Sequence, residues 1–190
     1  MPGTALLREI SRAEFRAELE ALLAVYAAAM QPDPVQLPGR LSIMERHAAY
    51  PGFRAIAASA EPDTQIVAFS YGFRGRQGQW WHDVVRSAIG EQAGNAAVTT
   101  WLADPLEIAE VHVRPGFQHQ GIGRRMMRAL TLDRTERTAI LSTQDAESPA
   151  RRLYQGLGFT DLLTNFVFPG GGPPYAVMGA ALPLITEHHP

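Results

Sequence analysis

The 190-residue chain contains no cysteine. Disulfides, thiol nucleophiles and thiolate metal sites are thereby excluded. It has no run of like charges and no basic stripe interleaved with aromatics. Its 17 basic residues face 19 acidic ones for a formal net charge of −2, so no nucleic-acid partner is expected. A long hydrophobic run is missing too: the longest apolar tract, Ala21 to Met30, is about half the ~20 residues a membrane-spanning helix needs. The N-terminus shows no basic segment followed by an apolar core. The expectation is a soluble, cytoplasmic protein with no membrane partner. No spaced set of His, Asp and Glu reads as a metal site, His82 included, so no metal is expected.

An apolar content of 46% is enough to fill a core. The length suits one domain that buries ~70% of its unfolded surface, and residues 1–190 are read as that single domain, without internal repeats. Thr4 to Ile10 reads as a strand, followed by a helix from Arg12 to about Met30 that opens on the capping-box match Ser11-Arg12-Ala13-Glu14. Gln31 to Pro38 holds three prolines and cannot stay helical, so a second helix is placed at Leu41 to Ala49, closed by Pro51-Gly52. Strands at Phe53 to Ala58 and Ile66 to Phe73 flank the turn signal Glu61-Pro62-Asp63.

Arg74 to Pro105 then forms a long insertion of the kind that serves as a binding loop or lid. A helix is expected inside it from Gln79 to Ile89, ending at Gly90, with Trp81, Val85, Ala88 and Ile89 on one side. Trp80 and Trp81 are read first as core residues and second as ligand contacts.

The most informative stretch runs from Leu106 to Met127. Leu106 to Val113 is a β-branched, apolar strand closed by Pro115-Gly116, and a helix opens after Gly121 with Ile122, Met126 and Leu130 spaced i, i+4, i+8. Between them lies Gln118-x-x-Gly121-x-Gly123. Glycines there let backbone N–H groups approach an anion, and the helix adds unpaired donors and the positive end of its dipole. The expected ligand is a pyrophosphate. A Walker loop would need lysine where Ile122 stands, and a dinucleotide fingerprint would need glycine where Met126 stands. Neither a nucleoside triphosphatase nor a Rossmann domain is therefore expected.

A second strand, Thr138 to Thr143, is followed by a helix with an apolar face at Ala150, Leu153 and Leu157, ending at Gly158-Phe159. Tyr175 to Leu182 reads as the last strand, after the Pro169 to Pro174 turn. The pattern Gln-x-x-Gly-x-Gly after a strand, alone, would match by chance roughly 0.2 times in a chain of this length. Joined to Ala150-x-x-Leu153-Tyr154-x-x-x-Gly158-Phe159 in this order and spacing, it resembles the GCN5-related N-acetyltransferase (GNAT) family. The close resemblance covers Leu106 to about Phe168.

The resemblance implies an α/β (α+β) domain with a mixed, mostly antiparallel sheet of six to seven strands flanked by helices and splayed at its central strands. It implies an enzyme that moves an acetyl group from acetyl-coenzyme A, its co-substrate, to a primary amine of a small molecule or a peptide N-terminus. The family pattern assigns the pyrophosphate to the backbone around Gln118, His119, Gln120, Gly121, Ile122, Gly123 and Arg124, with the Arg124 and Arg125 side chains either assisting electrostatically or lying on an ordinary solvated helix face. It assigns the pantetheine arm and acetyl carbonyl to the backbone of Val111, His112 and Val113, the His112 side chain being incidental. Tyr154 matches the family's acid, which returns a proton to the leaving sulfur.

Glu110 is read as the base. Glu107 is the alternative, since residues three apart on a strand face opposite sides: Glu110 goes with Ile108 and His112, Glu107 with Ala109 and Val111. Glu147 stands where the family often has an asparagine that contacts the cofactor arm, and a carboxylate cannot donate as that amide does. The alternative function is a non-catalytic acyl-coenzyme A-binding sensor or regulatory subunit. The Arg74 to Pro105 insertion, the first helices and the Pro169 to Pro174 turn are the expected acceptor-shaping segments. Edge strands and an apolar C-terminal strand are compatible with a homodimer.

Overall fold

The computed structural model describes residues 5–60 and 64–184. Seven strands form one sheet in the order β1-β2-β3-β4-β5-β7-β6: β1 Leu6–Ile10, β2 Arg54–Ala60, β3 Gln65–Arg74, β4 Pro105–Val113, β5 Thr138–Gln144, β6 Thr160–Phe166 and β7 Tyr175–Ala181. The helices are α1 Arg12–Ala17, α2 Leu19–Met30, α3 Leu37–His47, α4 Trp80–Leu102, α5 Ile122–Thr131 and α6 Pro149–Gln155. Packing divides the chain into two compact units, Met1–Phe73 with Ile108–Leu130, and Arg74–Glu107 with Thr131–Pro190. β4 contributes its first three residues to one and the remainder to the other.

In the first unit, β1, β2 and β3 pair antiparallel in sequence order. Ser11 caps α1 through the expected box: its Oγ accepts the Glu14 N–H at 3.2 Å, and the Glu14 carboxylate accepts the Ser11 N–H at 2.7 Å. The single helix expected over Arg12 to Met30 is two, broken at Glu18 (φ −98°, ψ 10°). No glycine or proline marks that break. It accompanies the burial of Phe15, whose ring meets Phe53 and Tyr71 edge-on at 4.9 and 5.1 Å. Burying such a ring is worth about 2–3 kcal/mol. The core here gathers Phe15, Leu22, Val25, Met44, Phe69 and Tyr71. α3 starts at Leu37, four residues before the expected Leu41, because Pro38 falls in the first turn, where its missing N–H has no helical partner to lose.

In the second unit, β4 pairs parallel with β5 over Pro105–Glu107. β5 and β6 each pair antiparallel with β7. Val85, Ile89, Leu102, Ile140, Leu163 and Val177 form its core, with Trp81 and Trp101 packed against it. The segment read as an insertion with a helix ending at Gly90 is mostly α4, which passes through Gly90 and is interrupted at Gly94 instead (φ 80°, ψ 173°). Val85, Ala88 and Ile89 are buried as the periodicity requires, Trp81 is half-buried and Trp80 is exposed. β6 escaped the sequence pattern because its pairing with β7 slips at Asp161/Leu163 and again at Leu163/Phe166, which destroys the two-residue period. The turn expected at Glu61-Pro62-Asp63 and the start of the first strand at Thr4 lie outside the described residues.

Candidate active site

The glycine loop belongs to the first unit and is anchored at both ends. The Arg114 N–H bonds Val67 O at 2.9 Å at the end of β4, a single 3₁₀ turn spans Pro115–Phe117, and α5 begins at Ile122. Two glutamine amides brace the bend from within, Gln118 Nε2 donating to Val113 O (3.0 Å) and Gln120 Nε2 to Gly116 O (3.4 Å). His119 and Gly121 adopt left-handed backbone, φ 62° and 72°. A Cβ on Gly121 would meet nothing within 4 Å. Glycine is required there by the backbone angle, and its missing side chain opens onto free space. The Arg125 N–H makes the bond to Gly121 O (3.0 Å), and Ile122 and Gly123 open the first turn of α5.

Behind the loop, α5 is locked by the buried Ile122, Met126, Met127 and Leu130. Such an exposed left-handed bend leading into a fixed helix start is where backbone N–H groups can receive an anion. Arg125 Nη2 donates to Ala5 O at 3.0 Å.

β4 presents its two glutamates as alternation requires. Glu110 lies beside His112, and both of its oxygens are engaged. Oε1 accepts Arg40 Nη1 at 2.9 Å, and Oε2 is in very short contact with His112 Nε2. Two residues apart on one strand, Glu110 and His112 share a face, and Tyr26 (5.1 Å, edge-on) and Phe69 (5.5 Å) hold the ring against the carboxylate. Arg40 stacks over the Tyr26 ring at 4.8 Å. Burial alone would push Glu110 up, but the hydrogen bond and charge of His112, with Arg40 and His47, hold it below the ordinary carboxylate range. His47 Nδ1 lies 3.0 Å from the Tyr71 hydroxyl. Burial brings His47 down to about 4 and carries Tyr71 well above its usual value.

Glu107 belongs to the second unit, where its Oε1 meets His82 Nδ1 at 2.7 Å with both side chains buried. Burial raises Glu107 in spite of the bond from His82.

In the same unit α6 carries Tyr154. Ser148 caps it by accepting the Arg151 N–H at 3.1 Å, and Pro149 occupies its first turn. The face expected at Ala150, Leu153 and Leu157 turns out differently: Ala150 is exposed, Leu153 is half-buried and Leu157 lies beyond the helix end. Arg151 and Tyr154 face inward instead. Arg151 can do so because Nη2 reaches Asp161 at 2.7 Å and Nη1 lies 3.2 Å from Asp145, the latter an ion pair without hydrogen-bond geometry. Tyr154 is buried beside Phe159. Glu147 is exposed and 3.7 Å from the exposed Arg152, a pair of small energetic weight.

Among the described residues no group of three or more His, Cys, Asp or Glu could hold a metal, and no helix is long and apolar enough to cross a membrane.

The family model for the acetyltransferase (GNAT) domain matches residues 76–161. That match begins inside the Arg74 to Pro105 segment. The GCN5-like protein acetyltransferase Rv2170 of Mycobacterium tuberculosis (strain ATCC 25618 / H37Rv) is 32% identical over 136 residues, 68% of this chain and 66% of that protein. The chain thus spans about two thirds of that relative's length. The ribosomal-protein-S18-alanine N-acetyltransferase of Escherichia coli shares the fold at a TM-score of 0.62 and 14% identity, over 98% of this chain and 99% of that one. Arabidopsis thaliana NAA60, solved with a bisubstrate analogue, does so at 0.64 and 13%, over 94% and 98%. Both linked motifs, the mixed seven-stranded sheet and these relatives agree: the chain belongs to the GNAT acetyltransferase family.

Proposed function

We propose that the chain is an acetyltransferase that moves an acetyl group from acetyl-coenzyme A to a primary amine of a small molecule or peptide. The observation that carries this reading is the braced, left-handed bend at Gly121 opening onto the start of α5, where backbone N–H groups can receive an anion. The backbone N–H groups from Gln120 to Arg124 would hold that pyrophosphate, with Gln118 and His119 shaping the bend. The backbone of Val111, His112 and Val113 would align the pantetheine arm. When bound, acetyl-coenzyme A supplies an activated acetyl thioester. The Tyr154 hydroxyl would give its proton to the departing sulfur, and the amine's proton would be taken on β4 at the Glu110–His112 pair. The name of the 32%-identical relative, a protein acetyltransferase, favours peptide or protein amines as acceptors.

The test is thiol release from acetyl-coenzyme A over a panel of amines and peptides. The chain contains no lysine, so lysine acetylation detected in the mixture reports the acceptor alone. Turnover reduced ~10²-fold by Tyr154→Phe is the expected result. Glu147, standing where the family often has an asparagine, favours the second reading, a sensor that binds acyl-coenzyme A without turnover. Binding with no thiol release on any amine would select it.

A further inference from the structure

We propose that His112 is the residue that takes the proton from the acceptor amine, through its Nδ1, and that Glu110 and Arg40 are positioning residues that act through it. This rests on the acetyltransferase reading above. Glu110 is poorly suited to the task directly. It is buried, each of its oxygens already faces a cationic or N–H donor, and Arg40 and His112 keep it ionised. A carboxylate so held is a weak base, but it is a fixed acceptor. Because it can only accept, the imidazole nitrogen against it, Nε2, must carry the hydrogen. In the neutral ring the lone pair then sits on Nδ1, which has no hydrogen-bond partner among the described residues.

The tautomer is thus set by the strand itself, two residues away, as a buried carboxylate sets a catalytic imidazole elsewhere in protein chemistry. Tyr26 and Phe69 restrict the ring's rotation, and Arg40, stacked on Tyr26, clamps the carboxylate from its other side. The titratable and charged groups around the pair are Tyr26 of α2, Arg40 and His47 of α3 and Tyr71 of β3. Burial keeps His47 neutral near pH 7, so the charges facing the pair at that pH are Glu110 itself and Arg40.

In the step, the amine N–H bond breaks and its electron pair stays on nitrogen, which bonds the acyl carbon while the proton moves to Nδ1. The carbon–sulfur bond breaks with its pair on sulfur, which collects the Tyr154 hydroxyl proton. The His112 imidazolium then gives its proton to solvent water and the Tyr154 phenolate takes one from solvent water, which restores both groups. The net reaction converts amine and thioester to amide and thiol.

The test uses the full chain labelled with ¹⁵N-histidine, with the His112 resonances identified by their loss in His112→Gln. The wild type is expected to show the Nε2–H tautomer for neutral His112. In Glu110→Gln that preference should weaken, because an amide can donate as well as accept. The acid limb of kcat/KM should vanish in His112→Gln, with a ~10²-fold lower kcat. Acetyl-coenzyme A affinity should stay within about twofold throughout, since both substitutions change side chains and leave the loop and the β4 backbone as they are. An Nδ1–H tautomer in the wild type, or an acid limb that survives His112→Gln, overturns this inference alone. No thiol release by the wild type on any amine overturns the acetyltransferase reading beneath it.

Discussion

Gly75 lies against the Glu107–His82 pair, and adding one methyl group there tests how firmly that pair is held. Its backbone is not in the left-handed region, so alanine meets no conformational penalty. A Cβ would, however, stand 2.3 Å from Glu107 Oε1, 2.7 Å from Cδ and 2.8 Å from Cγ. The carboxylate must move, and it is buried and bonded to His82 at 2.7 Å. Overpacking costs about 1–3 kcal/mol, and a hydrogen bond to a charged group is worth about 1.5–3 kcal/mol net. With partial relaxation, Gly75→Ala should destabilise by about 2–4 kcal/mol, read as a lower urea midpoint at unchanged slope. In a Glu107→Ala background the methyl group enters vacated space, and the same change should cost less than about 0.5 kcal/mol. A double-mutant cycle therefore yields a large coupling. Equal costs in the two backgrounds would refute the reasoning, because the penalty would then arise elsewhere than at the carboxylate.

Two glycines of α4 should respond in opposite directions. Gly94 adopts φ 80°, ψ 173°, so alanine there should destabilise by about 1–3 kcal/mol. Alanine at the helical Gly90, whose Cβ would rest 3.5 Å from Val98 Cγ2, should stabilise by about 0.5–1 kcal/mol. Denaturant titration of both variants checks this, and a same-sign result would contradict the break at Gly94. His47 links stability to pH. Burial holds it near 4 against an ordinary 6.5, so the unfolded chain takes up the proton first and stability falls as pH drops from about 6.5 toward 4. Between pH 7 and 5 the wild type should therefore lose about 2 kcal/mol more than His47→Gln. Parallel pH–stability curves for the two proteins would refute that assignment.

The glycine loop was legible in the sequence because local rules determine it. A left-handed bend demands glycine at 121, and the apolar spacing of Ile122, Met126 and Leu130 fixes where α5 faces. Strand alternation likewise placed Glu110 beside His112 and away from Glu107. What alternation could not reveal is which groups arrive from distant segments. Arg40 reaches Glu110 across 70 positions, and His82 reaches Glu107 across 25. Such partners depend on tertiary packing, and they turn two similar glutamates into one held low and one pushed up. The inward turn of Arg151 is hidden for the same reason, since only Asp145 and Asp161 make a buried guanidinium acceptable. The slipped pairing of β6 and the break at Glu18 carry no local residue signal at all.

Calorimetric titration of the purified chain with acetyl-coenzyme A, run beside Gly121→Trp, tests the central claim most directly. Binding by the wild type that is lost in the variant, while both remain folded by circular dichroism, is the predicted result, because the indole would fill the space onto which Gly121 opens. Equal binding by the two proteins, or none by the wild type, would contradict the assignment of the loop as the cofactor cradle.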